Sequence, residues 1–428
     1  MSEERYAATQ PVDSSNKMLL FSDFFSLWFS LGVGLAVLET GALLAPGLGF
    51  WGSVAAIIIG SLVGVFFLAL MGWMGFRHGQ TSMALMGGLL GSRGIWIPSF
   101  LNMVQLMGWG AFEIILMRDG ATLLMKQWLG ADSFWTSSLL WTLILGVLAT
   151  LQAIGGPLTW FRIFLRRFGL WIVVIACGWL SVRLFTQPLP QDIWSVKGDG
   201  SMPFALGTDI VISMALSWLP LIADYTRFGR KAGSTVSGTV LGYLLGTIWI
   251  MVLGTAYILL GTDHSDMSQL MVSLSLASAG LPLFFILLDE TENAYTPIHS
   301  AAVSGNLLCR LNTSYLSCLF GVVSIIVASV VPVSAFLDFL LWIGSLFAPL
   351  FAMLLVDYWL LKRSTQATRL FSWGVAVAWI GGVVVYHLMA TYAPSWGATL
   401  PAMIASGLLR LVVAFGQSKW RVLTHQAS

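Results

Sequence analysis

Charge is what this sequence has least of. Of its 428 residues only 9% are Asp, Glu, Lys or Arg, while 57% are hydrophobic. Soluble domains carry about 25% charged residues, so a soluble core is excluded as the home of this much apolar sequence. Cysteine is scarce too. Cys177, Cys309 and Cys318 are scattered in or beside apolar runs, and no CxxC occurs, which argues against a disulfide or metal framework. The histidines, His78, His264, His299, His387 and His425, lie far apart, with neither an HExxH nor a Walker loop. Long connections are also lacking, the longest lying near 187–204, so no nucleotide-binding domain fits between the apolar runs. ATP-driven pumping is thereby excluded. No nucleophile–base pair marks an enzyme, and no Lys/Arg cluster interleaved with aromatics marks a nucleic-acid binder. The acidic, polar start MSEERYAATQ lacks the basic region and small-residue cleavage site of a signal peptide, so the first apolar run is expected to be retained as a span.

What is present is apolar sequence in helix-length runs. Twelve segments stand out, near 21–46, 50–75, 95–117, 134–155, 168–186, 205–227, 236–261, 281–307, 314–331, 335–361, 370–390 and 398–416. A membrane barrel would show strands of about ten alternating residues, and that pattern is missing. Helices satisfy their own backbone groups in lipid. The expected fold class is therefore an all-α polytopic membrane protein with twelve transmembrane helices. Basic residues give the orientation. With the N-terminus inside, only Arg118, Lys126, Arg183 and Lys197 fall outside, and the rest of the 21 Lys and Arg fall on the inner side. This bias places both termini in the cytoplasm, and the chain in the inner membrane.

Two segments look broken. Segment 1 carries Gly32 and Gly34 in mid-span, followed by Glu39. Glycine loosens a helix, and carbonyls freed in lipid must line a cavity or coordinate an ion; the plainer alternative is close helix packing. Glu39 favours the first, because a carboxylate at membrane depth is costly and usually functional. Segment 6 carries Pro220, which removes an N–H, next to Ser213, Ser217 and Trp218. Interrupted helices five segments apart suit a five-plus-five inverted repeat with its binding site at the breaks. The chain then divides into an N-terminal tail (1–20), a first five-helix repeat (21–186), a second (205–361), two additional helices (370–416) and a C-terminal tail (417–428).

The remaining polar residues point the same way. In segment 3, Gln105, Trp109 and Glu113 recur every four residues and share one helix face. An indole for stacking, flanked by an amide and an acid for edge hydrogen bonds, suits a flat heteroaromatic ligand. A polar inter-helix contact with a packing Trp is the alternative. Segment 8 puts Asp289, Glu290, Thr291, Glu292 and Asn293 in its middle third. Three unpaired carboxylates do not sit in lipid; they face water, bind a cation, meet a ligand donor or carry a proton. A loop between two short spans is the competing reading, but it would make the segment count odd and disturb the charge asymmetry. Asp224 with Arg227, and Asp357 near Lys362, sit at inner ends and read as structural or gating ion pairs.

With these residues in view, the chain resembles the nucleobase:cation symporter family of cytosine, hydantoin, allantoin and hydroxymethylpyrimidine permeases. The resemblance covers nearly the whole chain and rests on ETGALLAPGLG in segment 1, QLMGWG in segment 3, ADYTRFGR in segment 6, TENAY in segment 8 and VDYWLLKR in segment 10. GWGAFE together with DETENAYTPIHS is most similar to the hydroxymethylpyrimidine permeases. It implies the five-plus-five fold with two extra C-terminal helices. It also implies a substrate stacked on Trp109, with Glu113 at a family amide position, Ser213 and Ser217 on the segment 6 side and Thr291, Glu292 and Asn293 as candidate segment 8 contacts; Glu39, Gln105 and Trp218 join the expected substrate-binding set on the residue chemistry given above. The family's sodium site implies carbonyls near Ser30 and Val33, and Asp289 and Glu290 stand where the family has paired hydroxyls. The coupling cation is accordingly sodium or a proton, with no other metal and no organic cofactor. The function implied is secondary active import of a pyrimidine, hydroxymethylpyrimidine first, with cytosine, allantoin or a purine as alternatives. A passive channel is the alternative from another class.

Overall fold

The computed structural model describes residues 10–156, 168–186, 192–261, 272, 274–275, 277–332 and 336–426, without the side chains of 277, 336–337 and 418–426. Arg5, Arg162, Arg166, Arg167, His264 and most of the acidic N-terminal stretch lie outside the described residues. Among the described residues the structure is helical, with no strand and two isolated backbone bridges. Each expected segment coincides with helix. Among the described residues, nine helices are long and apolar enough to cross a membrane by length and composition.

Segment 1 is two helices. Phe21–Gly32 ends, Val33 and Gly34 run extended, and helix resumes at Leu35. The second half belongs to the run Leu35–His78, which turns at Gly49 (φ 67°) into segment 2. A Cβ at Gly49 would meet the Gly198 nitrogen at 2.5 Å, so only glycine fits both the dihedral and the space. The loop ahead of segment 6 occupies that space. Asp199 N–H donates to the Pro46 carbonyl (2.9 Å) and Gly200 N–H to the Gly47 carbonyl (3.2 Å), satisfying groups that this proline- and glycine-bearing turn would leave open.

Segment 6 also divides, but differently. Phe204–Leu216 and Leu219–Thr226 are joined by Ser217 and Trp218, both still right-handed in conformation. Pro220 enters at the first turn of the second helix, where its missing N–H costs least. The two breaks are therefore unequal: segment 1 opens into extended backbone and segment 6 only kinks. Segment 8 is one continuous helix, Leu281–Cys309, with residues 289–293 all buried. The reading of DETEN as a loop falls.

Helix packing repeats under a shift of five. Segment 3 lies on segment 8 and segment 4 on segment 9. The pairing 3–4 is answered by 8–9, 4–8 by 9–3, 1–5 by 6–10, and 2–6 by 7–1. Ten segments thus form two interlocked units. Segments 11 and 12 stand against segment 10, and segment 12 also touches segment 6.

Candidate functional site

The half-helix ends of segments 1 and 6 meet segments 3 and 8 around a small cavity. Gly34 and Val37 line it from segment 1, Leu106, Trp109 and Glu113 from segment 3, Met214, Ser217, Trp218 and Leu221 from segment 6, and Asn293 and Pro297 from segment 8. Its volume of about 10 Å³ holds a single water at most. A flat ring enters only if the lining residues move apart.

The aromatic side chains are held from behind. Trp218 meets Trp28 of segment 1 edge-on at 5.7 Å and Tyr243 of segment 7 at 6.5 Å, and Trp28 meets Tyr243 at 6.1 Å. Trp109 packs edge-on against Phe112 (6.2 Å) and against Phe339 of segment 10 (5.7 Å). Each ring therefore keeps a set plane and presents its remaining face to the cavity.

The acids of segment 8 grip both lips of the break in segment 1. Ser30 Oγ donates to Asp289 at 2.8 Å to both carboxylate oxygens, and Leu35 N–H donates to Glu290 at 3.1 Å. Asp289 thus holds the last turn before the break, and Glu290 caps the helix that follows it, where the helix dipole favours an anion. Gly34 lets the two chains approach: a Cβ there would stand 3.2 Å from Asn293 Nδ2 and 3.4 Å from Glu290 Oε1. The Glu113 carboxyl lies within electrostatic and hydrogen-bonding reach of Glu290.

Of the residues expected at the substrate, the structure gathers Trp109, Glu113, Ser217, Trp218 and Asn293 at the cavity. It places the others off its wall. Gln105 gives its amide N–H to Asn102 Oδ1 (2.7 Å), and the cavity-facing stripe of segment 3 is Leu106–Trp109–Glu113. Ser213 turns to Thr399 of segment 12 (2.8 Å). Thr291 donates to the Leu288 carbonyl and accepts from Gln152 of segment 4. Glu292 is buried with neither carboxylate oxygen hydrogen-bonded among the described residues, and Glu39 is buried in segment 1 within electrostatic reach of Glu290. Of the expected cation ligands, the Ser30 hydroxyl is engaged by Asp289, the Ser30 carbonyl accepts Val33 N–H (2.9 Å), and Val33 lies in the extended break. No group of three or more His, Cys, Asp and Glu suited to a metal occurs among the described residues.

Two residues with structural weight escaped the sequence reading. Asn102 Nδ2 bridges the Pro220 carbonyl (3.1 Å) and Ser304 Oγ (2.9 Å), tying segment 3 to the kink of segment 6 and to segment 8. Gln152 ties segment 4 to Thr291. Asn102 lies one turn before Leu106 on the cavity-facing side, and that periodicity was the available signal. Asp224 and Arg227 attract one another as expected of an ion pair, while the pairing of Asp357 differs from expectation. Arg227 Nε donates to the Asp224 backbone carbonyl (3.2 Å), while the Asp224 carboxylate accepts Ser82 N–H (3.1 Å). Asp357 bonds Arg410 of segment 12 and lies 3.9 Å from Arg363, so its partners are arginines and not Lys362.

Comparison with known proteins follows the same architecture. Residues 11–408 match the family described as permeases for cytosine/purines, uracil, thiamine and allantoin. The cytosine permease of Escherichia coli (strain K12) is 25% identical over 410 residues, covering 92% of each chain. Among solved structures, the nucleobase-cation-symport-1 family transporter Mhp1, closed with bromovinylhydantoin bound, superposes with a TM-score of 0.80 at 17% identity, covering 96% of this chain and 95% of that one. A Na+-coupled sialic acid symporter in a substrate-bound outward-open state gives a TM-score of 0.69 at 10% identity, covering 96% and 90%.

Proposed function

This chain belongs to the family of permeases for cytosine/purines, uracil, thiamine and allantoin, and from that premise we propose that it imports an aminopyrimidine, with hydroxymethylpyrimidine as the first candidate. Membership makes it an integral membrane transporter of nucleobase-like substrates coupled to a cation, and not an enzyme. The observation that carries the finer reading is the pairing of Glu113 with Glu290 beside Asn293, between Trp109 and Trp218. Two carboxyl groups set this close together are poised to exchange that contact for substrate N–H donors. An aminopyrimidine offers an exocyclic amine and, when protonated, an adjacent ring N–H, which match one carboxylate in a paired, charge-assisted hydrogen bond. Asn293 supplies both a donor and an acceptor for the next ring position. The tryptophans supply the stacking faces.

Entry of the ring moves the lining residues apart and separates Glu113 from Glu290. Glu290 also caps the second half of segment 1, so substrate binding bears on the break itself. Cation binding at Ser30, Val33, Asp289 and Glu290 acts on the same break, which gives the two ligands a shared element through which to couple. The inner side of the membrane is the side of Arg77, Arg93, Arg363 and Arg369. Cytosine presents the same aminopyrimidine edge, and the 25% identity to a cytosine permease over 92% of the chain makes it the second reading.

The test is uptake of labelled hydroxymethylpyrimidine into cells producing the protein, with unlabelled cytosine, allantoin and thiamine as competitors, and uptake of labelled cytosine in a parallel arm. Saturable uptake resisting all three supports the first reading. Uptake abolished by cytosine supports the second. No uptake of either pyrimidine above empty cells refutes both.

A further inference from the structure

A second cavity, of about 530 Å³, shares no residue with the site at the breaks. Arg363, Ser364, Thr368 and Arg369 line it from the connection between segments 10 and 11, with Gly88 from the connection between segments 2 and 3, and Gln417 from the last helix. Its frame is built by backbone pairing between the two connections. Gly88 N–H donates to the Thr365 carbonyl (2.7 Å), and Ser92 and Arg93 N–H donate to the Arg369 and Leu370 carbonyls (2.9 Å each). The cavity is therefore a feature of paired chains and not the tip of a single loop.

Its charged lining is cationic, from Arg363 and Arg369. Asp357 bonds the fully buried Arg410, and it is the carboxylate shared by Arg363 and Arg369, while these guanidinium groups repel one another. Arg363 and Arg369 thus bring two guanidinium groups to one recess, and Arg369 also donates to the Leu89 carbonyl (3.4 Å). Arg363 Nη1 donates to Gln417 Oε1 (3.3 Å), its Nε stands a distant 3.9 Å from Asp357, and the residue lines the cavity. Ser364 Oγ accepts Gln366 N–H (3.1 Å), which leaves its own hydrogen to donate. Lys362 stands alongside, its ammonium 5.8 Å from the Trp359 ring centre.

We propose that this cavity binds a phosphate group, from the headgroup of an anionic phospholipid or from a free phosphate-bearing solute. Planar guanidinium forks with hydroxyl and amide donors match the oxygens of phosphate, and basic recesses at the inner ends of membrane helices suit lipid phosphates. The proposal is independent of which ring is transported.

The full-length protein in nanodiscs tests it. In phosphatidylcholine discs, inorganic phosphate is titrated at constant ionic strength and thermal unfolding is followed. In a second arm, discs containing phosphatidylglycerol are compared, with retained lipid read by native mass spectrometry. Gln417→Glu places a carboxylate against Arg363, and a double Arg363→Gln/Arg369→Gln variant removes the forks. A saturable phosphate shift, weakened about tenfold or more in either variant, assigns the site to a free phosphate. Retention of phosphatidylglycerol without a phosphate shift, lost in either variant, assigns it to lipid. Should the double variant not fold, Gln417→Glu, which adds an ion pair to the native frame, decides alone. Wild-type protein that responds to neither ligand, or variants that respond as wild type does, overturn the proposal.

Discussion

At the scale of single residues, the account rests on a few side chains that meet across three segments. Trp109→Ala removes one stacking face. Stacking on an aromatic side chain contributes about 1–3 kcal/mol, so KM for uptake should rise roughly ten- to hundredfold, with protein abundance in the membrane unchanged. Glu113→Gln keeps shape and loses the acid. KM for an aminopyrimidine should rise at least as much, because charge-assisted hydrogen bonds carry about 1.5–3 kcal/mol. A Glu113→Gln variant with unchanged KM would remove the carboxyl pair from the substrate. These residues were legible because chemistry and periodicity coincide in one helix. An indole and an acid four residues apart in an apolar run have few other uses. Gln105 satisfied the same pattern and yet turns to Asn102. A polar residue at helical spacing carries no sign telling whether a ligand or a neighbouring amide takes it, and only the third dimension decides. Ser213 shows the same limit, since its partner Thr399 lies 186 residues away.

At the scale of elements, the breaks and the docking of the last helices matter most. Gly34→Ala drives a methyl group to within 3.2 Å of Asn293 Nδ2, tighter than ordinary contact. The expected result is impaired uptake with raised KM, read in the same transport assay, while a substitution at Gly178, where added bulk meets nothing within 4 Å, leaves transport intact. Segment 12 is held to segment 6 by Asp209, which accepts Ala398 N–H (2.9 Å), Thr399 N–H (3.1 Å) and Thr399 Oγ1 (3.0 Å). A carboxylate at a helix N-terminus is favourable through both hydrogen bonds and the helix dipole. Asp209→Asn should cost about 1–2 kcal/mol, seen as a lower unfolding temperature in detergent. At the C-terminal end of segment 10, Asp357→Ala strands a buried Arg410 and should cost about 3–5 kcal/mol, whereas replacing both partners by apolar residues should recover most of it. A double variant no more stable than the single one would contradict that. The break of segment 1 was readable from its glycines. The unequal kink of segment 6 was not, because proline marks where a helix cannot continue its ladder but leaves open whether the backbone unwinds or merely bends.

At the scale of the whole molecule, low charge, helix-length apolar runs and asymmetric basic residues already implied a polytopic helical protein. The five-plus-five arrangement was expected from the two interruptions and the helix count and is now carried by helix pairings that exchange under a shift of five. It was faint in the sequence because an inverted repeat needs matched packing and not matched residues. The central claim at this scale is that the molecule works as a carrier, with one site presented alternately to the two faces. The cavity at the breaks has room for about one water, which is no open pore. The most direct measurement is counterflow. Proteoliposomes are loaded with excess unlabelled hydroxymethylpyrimidine or cytosine, diluted into a trace of the same labelled compound, and sampled over time. The account predicts a transient overshoot of label inside, above its outside concentration, because outward-moving substrate returns the loaded site. Label that merely equilibrates, at a rate indifferent to the internal load, would contradict a carrier and point to a channel.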